Sequence, residues 1–394
     1  MKRGKYRLAV WGLLGMFPLL SGCWDRTEVN DLALIMAAGL DEGKNGGIEL
    51  SVQVYTPSQA SGGGGGLETG GADGNGGSQV IVQSIRGADF ADAAAKLQEQ
   101  LPRQVFWGHS EVYVLGEQLA RKGVLDQIDF LFRHPQPRER AHVFVSKGKA
   151  KDILSMSTRI ERDSSEALRE LSNLSMGMGI TMKDLNQMLT GRSKAAILPL
   201  IEIKREQGSD YSFPVISCVA VLKDGKLAGE FNEDVRRETQ LIRGELNVLN
   251  VTFPVEGKKE QEEGLISVRI IKSRAKLVPE IRGDRWRLTV LVEGEAVVQQ
   301  NESAVDVTKP EELPRLEKLL NRKLAQKVEQ AFSQIQAESR ADVFGAADAF
   351  WRKYPRQWAR EESRWNDIFP NVDILAAAKI RILSPGFSGK SLHK

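Results

Sequence analysis

Four histidines and two cysteines are the side chains in this 394-residue sequence most suited to nucleophilic, proton-transfer or metal chemistry. His109, His134, His142 and His393 stand apart, with no H-x-x-H or H-E-x-x-H pair to bring two imidazoles to one metal. Two cysteines exclude a disulfide-dense scaffold and a zinc site of four thiolates. Trp107-Gly-His-Ser-Glu111 offers a histidine, a serine and a carboxylate in a row. Neighbours on one extended segment point to alternate faces, however, and do not converge as a triad does. There is no Gly-x-Ser-x-Gly elbow and no Walker motif. Glu161 and Asp163 are interleaved with Arg159 and Arg162, the mixture of a solvated face. These spacings argue against an enzyme and against a cofactor or metal site.

The two cysteines differ in setting. Cys218 lies in Phe213-Pro-Val-Ile-Ser-Cys-Val-Ala-Val-Leu222, an apolar run in which a small core residue is expected. Cys23 ends Leu20-Ser21-Gly22-Cys23, which resembles the lipobox of bacterial lipoproteins. The chemistry implied is thioether attachment of a diacylglyceryl group to Cys23 and cleavage between Gly22 and Cys23. Two acyl chains, at about 0.8 kcal/mol per buried CH₂, anchor stably where one is marginal. What precedes fits a signal peptide: Lys2, Arg3, Lys5 and Arg7 without an acid, then the apolar run 8–20. That run falls short of the roughly 20 residues needed to span a bilayer. The alternatives are an uncleaved signal anchor or a signal cleaved elsewhere.

Taking those four cations from a net charge of +3 leaves −1, so a basic nucleic-acid footprint is not expected. No later run approaches about 18 continuous apolar residues. The expected body is therefore tethered on the outer face of a membrane. Its length suits about two or three domains of roughly 100–200 residues.

The elements that would carry this body can be followed along the chain. Residues 32–40 and 48–55 read as a hairpin across Asp41-Glu-Gly-Lys-Asn-Gly-Gly47. The glycine tract 58–78 reads as a flexible loop; no lysine or arginine between Tyr55 and Ile85 equips it for phosphate. Strands are expected at 80–85, 112–115, 142–146 and 195–204. Helices are expected at 90–101, 117–132, 149–154, 164–174 and 182–189. Beyond the polar break Gln207-Gly-Ser-Asp210, strands 213–222 and 226–231 pair through Lys223-Asp-Gly225. Helix 233–243 precedes three strands at 247–253, 265–281 and 286–299.

Thr308-Lys-Pro-Glu311 has the form of a capping box. Leu313, Leu316, Leu320, Leu324, Val328, Phe332 and Ile335 behind it form one apolar helical stripe, a face for docking on a sheet. An amphipathic block at 342–369 holds Phe344, Phe350, Trp351, Trp358 and Trp365, with its aromatics expected inward and its cations wet. A strand at 372–383 closes the chain. The pattern predicts an α+β fold, several mixed or antiparallel sheets flanked by helices. The expected organisation is a signal peptide 1–22, an N-terminal domain 23–205, a C-terminal domain 206–385 and a tail 386–394. The C-terminal domain is divisible into 206–305 and 306–385.

Leu20-Ser-Gly-Cys-Trp-Asp-Arg-Thr-Glu-Val-Asn-Asp-Leu32 resembles the start of the C-subunit lipoproteins of nutrient germinant receptors in endospore-forming bacteria. The likeness continues in Gly108-His-Ser-Glu-Val-Tyr-Val-Leu-Gly116 and Phe132-Arg-His-Pro-Gln-Pro-Arg-Glu-Arg140. It returns in Ala341-Asp-Val-Phe-Gly-Ala346, Phe350-Trp-Arg-Lys-Tyr-Pro355 and Trp365-Asn-Asp-Ile-Phe-Pro370. The tract 58–78 departs from it, being longer and plainer than the family pattern. The resemblance implies an α+β fold and a non-enzymatic subunit with no catalytic residues. It also implies a Cys23 lipid anchor on the outer surface of the spore inner membrane and two integral-membrane receptor subunits as partners. The rival is a solute-binding lipoprotein of an importer, which calls for two lobes of repeated parallel βαβ units; strands followed by helices in the second half argue against it.

Overall fold

The computed structural model describes residues 28–56, 80–174, 177–209, 211–246, 248–256 and 263–384. The segment 1–22, Cys23, the tract 58–78 and the tail 386–394 lie outside the described residues. The α+β expectation holds, in two mixed sheets.

In the first, β1 (Leu32–Glu42), β2 (Ile48–Tyr55) and β3 (Val80–Gly87) form an antiparallel meander. Helix α1 (Phe90–Gln100) packs on it, capped by Asp89, whose carboxylate accepts from the Asp92 N–H at 2.8 Å. The short β4 (Gln104–Phe106) and then β5 (Val112–Gly116) add parallel to successive parts of β1. After α2 (Glu117–Lys122) and α3 (Leu125–Arg133), β6 (His142–Ser146) adds parallel to β5. Next come α4 (Ala150–Leu154), α5 (Ser164–Asn173), α6 (Met182–Thr190) and β7 (Ala195–Arg205), parallel to β6. The hairpin β8 (Ser212–Lys223) and β9 (Lys226–Phe231) completes the sheet antiparallel. All of β5 and residues 195–201 of β7 are buried, as expected of parallel strands covered on both faces.

Helix α7 (Glu233–Arg243) leads to the second sheet. There β10 (Leu249–Glu256), β11 (Glu263–Arg282) and β12 (Arg285–Asn301) run antiparallel. Helices α8 (Leu313–Ser339), α9 (Ala346–Lys353), α10 (Pro355–Glu361) and α11 (Trp365–Ile368) follow, and β13 (Asp373–Ser384) returns parallel to β12. The stripe on α8 is buried from Leu316 to Ile335, with Leu313 half-buried at its start. Behind it Phe332 stacks on Phe344 at 4.0 Å between ring centroids. Trp365 meets Trp358 at 5.1 Å, and Phe350 meets Trp286 at 4.7 Å. One contiguous apolar core takes side chains from both sheets.

Three expectations need correction. The helix expected at 117–132 is two helices, because Gly123 takes φ 137° and its N–H closes on the Leu119 carbonyl at 2.8 Å. The capping box at 308–311 does not form: the Thr308 hydroxyl donates to Asp306 at 2.6 Å, and α8 begins at Leu313 with Pro314 in its first turn. Trp351 is not inward; it is 41% exposed, with the Arg192 guanidinium 3.7 Å from its ring centroid, whereas Trp358 is buried. The first sheet runs on past residue 205. Arg205 pairs with Ser212, and Gly208 at φ 76° turns the chain back along the same sheet, which runs on to Phe231.

Candidate functional site

Cys23, the site residue expected from sequence, precedes the first described residue, Glu28, by five positions. From there a 3₁₀ turn, Val29–Asp31, passes directly into β1, which has β2 on one side and β4 and β5 on the other. The described chain thus begins in a strand hydrogen-bonded along both edges. At the far end of β1, Asp41 accepts from the N–H groups of Ala150 at 2.8 Å and Lys151 at 3.0 Å, pinning the start of α4. Burial pushes its carboxyl up, against the two N–H groups that favour the charge. Gly116 makes room for this contact, since a Cβ there would lie 2.0 Å from the Asp41 Oδ1.

His109 ends a 3₁₀ turn and is half-exposed, Ser110 is buried, and Glu111 is held by Arg169 at 2.8 Å. His134 Nδ1 accepts from the Gln136 N–H at 3.3 Å. His142 is half-buried, and burial holds its imidazole below the usual range. His393 lies outside the described residues. Asp163 caps α5, accepting from Ser165 at 2.9 Å and Glu166 at 3.1 Å, while Arg162 pairs with Glu166 at 2.9 Å. Cys218 is half-buried on β8, opposite Leu200, and packs against the core. Among the described residues no group of three or more His, Cys, Asp or Glu is placed to hold a metal.

The polar chemistry that the sequence did not reveal is at the junction of the sheets. Helix α7 packs against β8, β11 and α8 and buries Arg236, Glu238, Thr239 and Gln240. Arg236 donates to the Gln240 Oε1 at 3.0 Å, and the Gln240 amide donates to the Gly177 carbonyl at 2.9 Å. Glu238 is 3.6 Å from Lys327 on α8. Burial pushes the Glu238 carboxyl up and the Arg236 guanidinium down. Further bonds cross the junction: Lys223 donates to the Arg340 carbonyl at 2.8 Å, Arg243 to the Val343 carbonyl at 2.7 Å, and Arg192 pairs with Asp348 at 2.7 Å.

Beside them Asp342 is buried and accepts from the N–H groups of Phe344, Gly345, Ala346 and Ala347 at 2.7–3.3 Å, capping α9. Burial pushes its carboxyl up, while the four N–H groups pull it back. A cavity of about 320 Å³ opens here, lined by Asp184, Arg243, Asp342 and Asp348. One ion pair and two side-chain-to-carbonyl bonds thus tie the first sheet and α7 to the segments packed on the second. The sequence placed a helix at 233–243; the burial of its polar residues comes from β8, β11 and α8.

Comparison with known proteins covers most of the chain. A family described as the spore germination protein N-terminal domain matches residues 25–203, and one described as spore germination B3/GerAC like, C-terminal, matches 217–386. The gap between these matches falls on the β7–β8 turn, inside the first sheet. Spore germination protein KC of Bacillus subtilis (strain 168) is 27% identical over 96% of this chain and 95% of its own length. Spore germination protein B3 of the same organism is 23% identical over 95% and 97%. The crystal structure of the GerBC protein has the same fold, with TM-score 0.55 and 18% identity over 88% of this chain and 96% of that one.

Proposed function

The chain belongs to the GerAC-like family of spore germination C subunits, and from that premise we propose that it is the membrane-anchored C subunit of a nutrient germinant receptor. A diacylglyceryl group on Cys23 would hold it at the outer surface of the spore inner membrane. It would work there through contacts with two integral-membrane subunits and carry out no reaction of its own. The observation that carries this reading is the pair of family matches, which together reach from residue 25 to residue 386. The geometry supports it: five positions after Cys23 the described chain begins and runs into β1, which is paired along both edges, and bonds at the junction link that sheet to the second. Displacement at the membrane would so reach the whole body.

The test is isolation of the protein from spore membranes. The reading expects Cys23 to be the mature N-terminus and to carry the lipid by mass spectrometry. It also expects two integral-membrane proteins to co-purify. An unmodified Cys23, or a chain beginning elsewhere, overturns the anchor; purification without membrane partners overturns the receptor assignment.

A further inference from the structure

The face of the second sheet turned away from the helices carries an excess of positive charge. Three successive rungs cross its middle from β11 through β12 to β13: Lys272–Glu295–Arg381, Arg274–Glu293–Lys379 and Lys276–Leu291–Ala377. Side chains alternate along a strand, so the residues of these rungs share one face. Ala275, Leu277, Ala376 and Ala378, which lie between them, pack against the core instead. All five cations are exposed, and among the described residues none of them closes an ion pair. The rungs thus hold five cations against two carboxylates, in a chain that is nearly neutral without its first 22 residues. The neighbouring segments outside the described residues bring no surplus of acid. Residues 257–262 hold two lysines and two glutamates, and 385–394 hold two lysines and neither Asp nor Glu.

We infer that this face lies against an anionic phospholipid surface, turned to it by the five cations. They stand in two rows on either side of β12, about 10 Å apart across the strands and about 7 Å apart along them. Charges spread in this way meet separate headgroups and converge on no single ligand. Anionic lipid attracts clusters of Lys and Arg, within about a Debye length of the surface. Their long stems lie along the sheet and carry the charged heads outward. Leu375, on the next rung of β13, is 45% exposed and adds an apolar contact at headgroup level. The inference rests on the reading that the chain works at a membrane, and it adds which face is turned to that membrane. The Cys23 lipid would keep the body near the bilayer, and this face would set how the body lies on it.

A dye on the face tests the contact. The full chain, in a Cys218→Ser background, is labelled at Ala377→Cys on the third rung or at Gln326→Cys on the exposed side of α8. Each is reconstituted into vesicles whose lipids bear a quencher, made of phosphatidylcholine alone or of phosphatidylcholine and phosphatidylglycerol in equal parts. The readout is the difference between the two labels, so any dye on a free Cys23 cancels. Ala377→Cys should be quenched more than Gln326→Cys in the anionic vesicles and not in the neutral ones. The difference should vanish as salt shortens the Debye length from about 10 Å at 0.1 M to about 3 Å at 1 M. Arg274→Gln with Lys379→Gln should weaken it at an unchanged urea midpoint. Dye uptake by the Cys218→Ser chain without a new cysteine would show Cys23 unmodified, which overturns the anchor and leaves this difference to stand. Equal quenching of the two labels in anionic vesicles overturns the inference and gives the face to an acidic protein instead. A difference that is the same in neutral vesicles, survives high salt or ignores the double variant overturns it too.

Discussion

The first sheet keeps its central strands buried on both faces, whereas β12 in the second alternates along its length. Trp286, Leu288, Val290 and Val292 turn to the helices and Arg287, Thr289 and Leu291 turn away. On that outer face Arg274, Glu293 and Lys379 stand in register across β11, β12 and β13, and Leu375 is 45% exposed. Opposed charges of this kind contribute about 0.2–1 kcal/mol each. The lesson is one of division of labour. The first sheet is packed on both sides, and the sheet farther along the chain keeps one face open. Contacts around α7 join the two.

The strongest way to break this comparison is to empty the covered face and leave the open one alone. Leu320→Ala and Leu324→Ala remove fully buried side chains from α8, and each should cost about 2–5 kcal/mol in urea unfolding. Leu375→Ala on the open face should stay within about 0.5 kcal/mol. Equal costs at the three positions would mean that the second sheet is covered on both faces.

Asp342→Ala strips the acceptor from four buried N–H groups at the junction. Leaving such groups unpaired should cost about 1–3 kcal/mol, with exchange of the N–H groups at 344–347 accelerated first. Unchanged exchange there would show that α9 does not depend on this cap.

The smallest effect belongs to Glu238. Its carboxyl is raised by burial in the folded state, so the favourable contribution is complete at low pH, below the unfolded value, and is lost as pH rises through the folded one. Glu238→Gln should gain stability relative to the parent chain as pH rises from acid to neutral. A variant whose relative stability falls over that range would show that the Lys327 pair outweighs burial.

Much of this was legible in sequence because one period governed each segment. The stripe on α8, the β8–β9 hairpin and helix 233–243 follow from local spacing alone. What escaped depends on distant partners. The turn at 207–209 looks like a linker until Arg205 is seen to pair with Ser212 across it. Trp351 and Trp358 sit alike in the sequence, and only Arg192, far back along the chain, draws the first outward. Local spacing shows helix 233–243 but not the burial of Arg236, Glu238 and Gln240, which β8, β11 and α8 bring about from distant parts of the chain.

The central claim, a receptor subunit that acts by contact, is tested most directly in spores from which every nutrient germinant receptor has been removed. A receptor operon carrying this gene is restored with the gene intact or deleted, and germination is followed after nutrient and after a receptor-independent trigger. The account predicts that the intact operon restores the nutrient response and the deleted one does not, with the receptor-independent response equal in both. A full nutrient response from the operon lacking this gene would contradict it.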